Sequence, residues 1–414
     1  MNIHEAIYKK AIDLKTETIE LLTALISAET TDYNEENGQK LVRRFLESIG
    51  AECFQVQPDP ERLGKYPEFN PGHTYDNRKS VVGLVKGKDK DRGKSILLHA
   101  HMDTVFPASR HEWNTDPFRP EIIDDKLYGL GAADTKGSMA TMLMSIKILK
   151  ELGIELAGDV MFQSVVDEEA GGGNGSLACI DAGYRTDAVI IGEPNNLNPM
   201  SAHVGSYAFR IKVEGKSAHA NTKWKGTSAF EKAFPIVIAL QELEKKWNKR
   251  TYHLLPSPVI TVIEIKAGDG SITLPGSCEM LVNYTYLPDG YDYFNEIISV
   301  IKASIENDSW FDDHELQIEK HHDCGPYYND PKREFATTVK EISGKVLSRE
   351  VNITGMGCGA DARLYANVGQ MSTMILGPGN IENAHQPNEF VIVEELVKAV
   401  QLYASILVEW CGVR

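Results

Sequence analysis

Four short apolar runs in this sequence each lead straight into ionisable side chains. Ile96-Leu97-Leu98 runs into His99-Ala100-His101-Met102-Asp103. Phe162-Gln163-Ser164-Val165-Val166 runs into Asp167-Glu168-Glu169. Val189-Ile190-Ile191 runs into Gly192-Glu193-Pro194, and Met374-Ile375-Leu376 into Gly377-Pro378-Gly379, with His385 shortly after. A fifth group, Asp134, closes Gly129-Leu130-Gly131-Ala132-Ala133-Asp134, just ahead of a helical pattern that starts at Lys136. Runs of this length read as buried strands, and ligands of open α/β sheets bind outside the carboxyl ends of the strands. Five segments delivering imidazole and carboxylate to one edge imply one shared site. A donor set of His, Asp and Glu without thiolate suits Zn²⁺, with Co²⁺ and Mn²⁺ beside it.

Taken singly, each piece has an ordinary reading. Glu168-Glu169 would be a solvated loop, His101-Met102-Asp103 a surface turn, and Arg363 and Glu389 surface charges. His219 alone would be structural. Gly129-Leu130-Gly131 imitates part of a dinucleotide fingerprint, but Asp134 stands where its third glycine belongs, and a carboxylate there would repel a pyrophosphate. The glycines at 171–175 lack the Lys-Ser/Thr of a phosphate loop.

The elements that must position these groups can be read from periodicity. Residues 17–30 and 38–49 have amphipathic helical spacing, and 57–78, rich in Pro, Gly and charge, reads as a long surface loop. Strands are predicted at 80–85, 95–98, 160–166, 188–191 and 373–376, and helices at 136–152 and 393–407. Strands alternating with helices argue an α/β domain with a mixed, mostly parallel sheet covered on both faces. The middle reads differently: strand 207–213, helix 228–243, strands 259–266 and 278–286, helix 293–305, and a last strand near 315–318. That β-α-β-β-α-β order predicts a separate ferredoxin-like α+β module. The expected organisation is a catalytic domain of residues 1–198 and 323–414, interrupted by an insertion at 199–322.

Composition excludes several classes. The chain has 414 residues and carries 43 Lys+Arg against 59 Asp+Glu, a net charge of −16. A nucleic-acid binder held by phosphate contacts would need a basic face. No apolar run approaches the roughly 18–20 residues of a membrane-spanning helix, and 1–15 lacks the apolar core of a signal peptide. Six cysteines at 53, 179, 278, 324, 358 and 411 form no CxxC. A thiolate zinc site or disulfide framework is not expected, and a reducing cytoplasm fits.

Together the pieces resemble the co-catalytic metallopeptidase and amidohydrolase family of acetylornithine deacetylase, succinyl-diaminopimelate desuccinylase, aminoacylase-1 and glutamate carboxypeptidase, the M20 type. The matching motifs stand in family order: His99–Val105, Leu127–Gly137, Asp167-Glu168-Glu169, Gly192-Glu193-Pro194, Gly215-Lys216-Ser217-Ala218-His219-Ala220, Asp361-Ala362-Arg363, and Gly377-Pro378-Gly379 followed by Ala384-His385-Gln386-Pro387-Asn388-Glu389. The resemblance implies an α/β/α catalytic domain with an inserted lid and dimerisation domain, and two divalent cations per subunit, Zn²⁺ first. It implies His101 and His385 as ligands of one metal each, Asp134 as the carboxylate bridging them, and Glu169 and Glu193 as the remaining ligands. Asp103 would orient the His101 imidazole, and Glu168 would be the general base acting on a metal-bridged water. The peptide bond after the bridging aspartate, Asp134–Thr135, is expected to be cis. His219 would reach into the neighbouring subunit of a homodimer and stabilise the oxyanion. Arg363, Glu389 and Gly377 are the expected substrate contacts.

The activity so implied is metal-dependent hydrolysis of an amide bond in a small N-acylated amino acid or related N-acyl amine. The alternative within the family is an exopeptidase or dipeptidase acting on short peptides. One departure bears on substrate: many relatives carry Asp and Arg where this chain has Asn283 and Thr285, which alters recognition from the inserted domain. A metal-free binding module would lack at least one ligand, whereas all five are present together with the base.

Overall fold

The computed structural model describes residues 2–31, 33–89, 91–169 and 171–414. Its strands are β1 (Glu52–Val56), β2 (Ser80–Val85), β3 (Ile96–His101), β4 (Glu121–Ile123), β5 (Lys126–Tyr128), β6 (Val160–Val165), β7 (Ala188–Ile191), β8 (Met200–His203), β9 (Gly205–Glu214), β10 (Ile260–Ala267), β11 (Ser277–Tyr286), β12 (Gln317–Cys324), β13 (Tyr327–Tyr328), β14 (Thr354–Met356), β15 (Ser372–Ile375) and β16 (Phe390–Ile392). Its helices are α1 (Ile3–Asp13), α2 (Lys15–Ile26), α3 (Glu36–Ser48), α4 (Pro60–Leu63), α5 (Lys136–Glu151), α6 (Asn174–Asp181), α7 (Ala229–Trp247), α8 (Tyr293–Ile305), α9 (Trp310–Asp313), α10 (Glu334–Leu347) and α11 (Val393–Cys411).

The large sheet has the order β1-β2-β6-β3-β7-β15-β8-β13, with β14 beside β8. Its centre, β6-β3-β7-β15, is parallel, and antiparallel strands flank it. The parallel centre places the carboxyl ends of four strands at one edge. That is the edge at which residues 102–104, 167–169, 193 and 377 follow.

Strand alternation sorts the two faces. Ile96, Leu98 and Ala100 join Phe162, Ile190 and Met374 in a core shared with α1, α2, α3, α5, α10 and α11. The alternate set turns the other way, where His99 meets Ser176 of α6 and the Tyr365 ring. Helix α5 is buried almost throughout, from Lys136 to Leu149. At about 25 cal/mol per Å² of apolar surface, such a helix is held by burial more than by its own propensity.

By compactness the chain divides into two units, residues 1–202, 328–354 and 360–414, and residues 203–327 with 355–359. The second unit lies a few residues beyond the expected 199–322 and adds the short segment 355–359. It holds an antiparallel sheet of order β10-β11-β9-β12, in the chain order β9, α7, β10, β11, α8, β12. Phe209, Ile211, Val213, Met280, Val282 and Tyr284 of the sheet are buried, as are Ile236, Leu240, Ile297 and Ile301 of the helices. Ser228 and Asp292 cap α7 and α8 by accepting from Glu231 N and Asn295 N, which fixes where each helix begins.

Two features depart from the sequence reading. A three-stranded sheet, β16-β5-β4, pairs Phe390 with Tyr128 and joins two distant motifs. The segment at 57–78 contains α4 and is not merely a surface loop: Leu63, Asn70, Tyr75 and Arg78 are buried. Its buried Asn70, Tyr75 and Arg78 find their hydrogen-bonding partners far along the chain, which composition does not reveal. No helix among the described residues is long and apolar enough to cross a membrane.

Candidate metal centre

His101 ends β3 and is buried. Its Nδ1 lies 2.8 Å from the backbone carbonyl of Asp103, so this nitrogen carries the proton and Nε2 faces the other way. Nε2 lies 3.1 Å from Asp134 Oδ1. The second oxygen, Asp134 Oδ2, is 3.4 Å from His385 Nε2, which is also 2.8 Å from Glu169 Oε2. Donor atoms of His101, Asp134 and Glu169 fall within 4.8 Å of one another. Asp134 thus stands between two imidazoles, and the Asp134–Thr135 peptide bond is cis.

Asp103 differs from its expected part. Its carboxylate is 3.9 Å from His101 Nδ1 and instead accepts from Glu169 N at 2.9 Å. The backbone carbonyl of Asp103 orients the imidazole, while its side chain holds the backbone of Glu169.

Charge is crowded here. Burial, and then the Glu193 charge, push the Glu168 carboxyl well above the usual carboxylate range. Burial and Asp134 do the same to Glu193, and burial and Asp134 raise Glu169. Burial works to raise Asp134 too, but hydrogen bonds from His101 and His385 outweigh it and hold that carboxyl below its ordinary value. Burial opposes the charge on His101, yet Asp134, Glu193 and Glu168 raise its pKa well above the ordinary value. Glu169 Oε1 and Asp103 Oδ1 are buried without a hydrogen-bond partner among the described residues. A pocket with more carboxylate than its own imidazoles can neutralise, all of oxygen and nitrogen donors, fits divalent cations.

The expected substrate contacts are placed differently. Glu389 is 2 % exposed, and its carboxylate accepts from the backbone N–H groups of Gly131, Ala133 and Asp134 at 2.8–3.0 Å. It is spent on the loop that presents Asp134, so a substrate-facing role does not fit it. Gly377 is buried, and its N–H donates to Asn195 Oδ1. A Cβ there would come within 2.5 Å of the Glu193 carbonyl and Ser138 Oγ. Close packing therefore requires the glycine, and its N–H is already used. Arg363 is buried near Asp361, whose carboxyl burial raises, with the Ser176 hydrogen bond and the Arg363 charge only partly offsetting it. His219 lies in the second unit, exposed, with Nδ1 accepting from Asn221 N.

Three groups lie inside the quoted motifs but receive no role from the sequence. Lys136 is 1 % exposed, and burial lowers its amine to about 7 against the opposing charges of Glu389 and Asp103. His99, lowered to about 3 chiefly by burial, bonds to Ser176 Oγ, which in turn donates to Asp361. Asp167 is fully buried and partnered by His73, Tyr75 and Arg78. Only the position of Lys136, in the first turn after Asp134, could have marked it.

Comparison with known proteins settles the family. The model of peptidase family M20/M25/M40 matches residues 97–409. The chain belongs to this family. It is 25 % identical to N-formyl-4-amino-5-aminomethyl-2-methylpyrimidine deformylase of Halalkalibacterium halodurans, over 97 % of this chain and 96 % of that one. It is 30 % identical to acetylornithine deacetylase of Erwinia tasmaniensis, over 92 % of each. Among solved structures, the dipeptidase Dug1p of Saccharomyces cerevisiae superposes with a TM-score of 0.79 at 16 % identity, covering 99 % of this chain and 98 % of that one. This M20 chain is therefore an enzyme of the metallo-amidohydrolase and peptidase type, with the M20 fold throughout.

Proposed function

We propose that this M20 enzyme removes the acyl group from a small N-acylated amino acid or related N-acyl amine. In this reading His101, Asp134, Glu169, Glu193 and His385 hold two divalent cations, zinc first, with cobalt or manganese as substitutes. The observation that carries the reading is Asp134, whose two oxygens face two different imidazoles, as a carboxylate shared by two cations must. A bound cation pair would supply Lewis acidity, lowering the pKa of a water and polarising the amide carbonyl.

The chain's own groups supply the rest. Glu168 takes a proton from the attacking water and returns it to the departing nitrogen, help worth roughly 10²–10⁴-fold. Asp103 positions two neighbours at once, His101 through its carbonyl and Glu169 through its carboxylate. Glu389 holds the loop of Asp134, and Arg363 is the cation assigned to the substrate's polar end. His219 donates to the developing oxyanion from the partner subunit of a homodimer, in which the second unit serves as lid and dimerisation domain. Support for the dimer lies on the second unit: Phe230, Phe234 and Ile238, four residues apart on α7, are exposed, and β10, at the edge of its sheet, carries Ile263 and Ile265 exposed, with Val259 exposed just before it. A cytoplasmic setting suits six scattered cysteines that form no CxxC.

Two relatives and one local feature support this substrate class. Both whole-length relatives are named for removing formyl or acetyl from an amine. Asn283 and Thr285 are used inside their own sheet, accepting from Ser206 Oγ and Val259 N. That neutral pair suits an amine product without a second carboxylate.

The deciding experiment is to strip the protein with chelator, reload it with Zn²⁺, Co²⁺ or Mn²⁺, and follow amine release from N-formyl, N-acetyl and N-succinyl amines and amino acids and from dipeptides. N-acyl compounds are expected to lead in kcat/KM. A clear preference for dipeptides would replace the deacylase reading with the dipeptidase one. Asp134→Ala is expected to lose bound metal, and unchanged metal by elemental analysis would refute the shared carboxylate.

A further inference from the structure

The segment between β1 and β2 contributes none of the proposed metal ligands, yet it is bonded to the stretch that carries Glu168. Asp167 precedes that residue. It is fully buried with φ +67°, a left-handed conformation that aspartate tolerates better than most residues. Its Oδ2 accepts from the Tyr75 hydroxyl at 2.5 Å. Its Oδ1 lies 3.0 Å from His73 Nδ1 and 3.6 Å from Arg78 Nη1.

Each partner is itself anchored. The Tyr75 hydroxyl also accepts from Asn174 Nδ2 at 2.6 Å, so both its donor and its acceptor capacity are used. Arg78 is held by Glu35, with Nε 3.1 Å from both carboxylate oxygens and Nη2 2.5 Å from Oε1. The Tyr33 ring covers its guanidinium at 4.3 Å. Asn70 donates to the carbonyls of Gly171 and Gly172 and accepts from Asn174. Charge-assisted bonds of this kind are short and directional. A rotation at the left-handed residue 167 would swing the two carboxylates that follow it. A misplacement of about 1 Å can cost roughly 10²-fold in rate.

We propose that Tyr75, backed by His73 and Arg78, is a positioning group for the proton-transfer carboxylate: by fixing Asp167 it fixes where Glu168 stands. The inference rests on the base role given to Glu168 above. The same segment offers a matched control. At its other end the Tyr66 hydroxyl donates to Asp181 Oδ1 at 2.8 Å, the same chemistry applied to the far end of α6. If the segment merely needed docking, the two tyrosines would matter alike.

The test compares Tyr75→Phe with Tyr66→Phe in the metal-loaded enzyme, measuring kcat, KM and bound metal separately. Tyr75→Phe is expected to lose roughly ten- to hundredfold in kcat, with KM within about twofold and metal content unchanged, while Tyr66→Phe stays within about twofold throughout. Near-wild-type kcat in Tyr75→Phe, equal losses in both variants, or a loss reversed by excess metal would each overturn the proposal. Should Tyr75→Phe fold poorly by circular dichroism, His73→Gln is read by the same criteria. Glu168→Gln runs alongside. If it is dead while Tyr75→Phe is wild type, only the positioning role fails; if it retains turnover, the base role fails and the positioning role with it.

Discussion

Asp134 concentrates the chemistry at the scale of single residues, because one carboxylate is set between imidazoles from opposite ends of the sequence. Glu168 is the sharper test of mechanism. Glu168→Gln keeps the size of the side chain and removes its basicity, so kcat is expected to fall by at least about 10²-fold with metal content and circular dichroism unchanged; wild-type turnover would take the base role away. A second expectation concerns the metal-stripped protein. Burial raises the carboxyl of Asp103 to about 7, and burial with the Asp134 charge raises that of Glu389 to about 8. Glu168, Glu169, Glu193 and Asp361 are raised too. Hydrogen bonds to Asp134 and Glu169 raise His385 to about 10. A group raised in the folded state stabilises fully below its unfolded pKa and loses that stabilisation as pH climbs through the folded value. His99 acts in the opposite sense only below about 6.5, its unfolded value, and Lys136, lowered to about 7, only above that value. In that range Asp103, Glu389 and His385 outweigh one amine. The Tm of chelated protein is therefore expected to fall between about pH 6.5 and 8, and added divalent cation is expected to flatten the slope. A Tm rising over that window without metal would contradict the crowding described here.

Among elements, what was legible depended on whether the signal was local. The runs ending at His101, Val165, Ile191 and Ile375 announced themselves by apolarity and by what followed, and α5 by its spacing after Asp134. The alternation of β9, β10 and β11 and the order of the second unit were equally readable. The parts that were hidden depend on pairing across the chain. Nothing near Glu389 says that β16 pairs with β5 and so brings its carboxylate to the N–H groups of residues 131–134. That contact turned an expected substrate contact into a brace. The 57–78 segment failed in the same way, since Tyr75 and Arg78 look like loop residues until Asp167 and Glu35 are beside them. Glu389→Gln tests the brace: the amide keeps one acceptor but turns an NH₂ toward backbone donors. Metal affinity is expected to drop by about 10–100-fold, as for supporting residues of metal ligands generally, while kcat at saturating metal stays close to wild type. A metal titration followed by activity separates the two.

For the whole molecule, the question is how many chains make one working site. If His219 serves the partner's site, two inactive variants repair each other. His219→Ala and Glu168→Gln, each inactive alone, are expected to regain activity when mixed under conditions that exchange subunits, because the mixed dimer carries one site with an intact glutamate and an intact donated histidine. No recovery, with exchange confirmed by a tagged subunit, would rule the shared site out. The net charge of −16 also reads differently once the fold is known: part of it is the carboxylate cluster of residues 103, 134, 168, 169 and 193. The interrupted first unit has a consequence for biosynthesis. His101, Asp134, Glu168, Glu169 and Glu193 all leave the ribosome before the second unit does, and His385 only after it. A nascent chain paused between the two carries the acids and one imidazole, and it lacks the second imidazole that completes Asp134's surroundings. On the proposed ligand set, the hydrolase completes its site only with residues that follow the inserted unit, so activity would switch on only once that unit has been made.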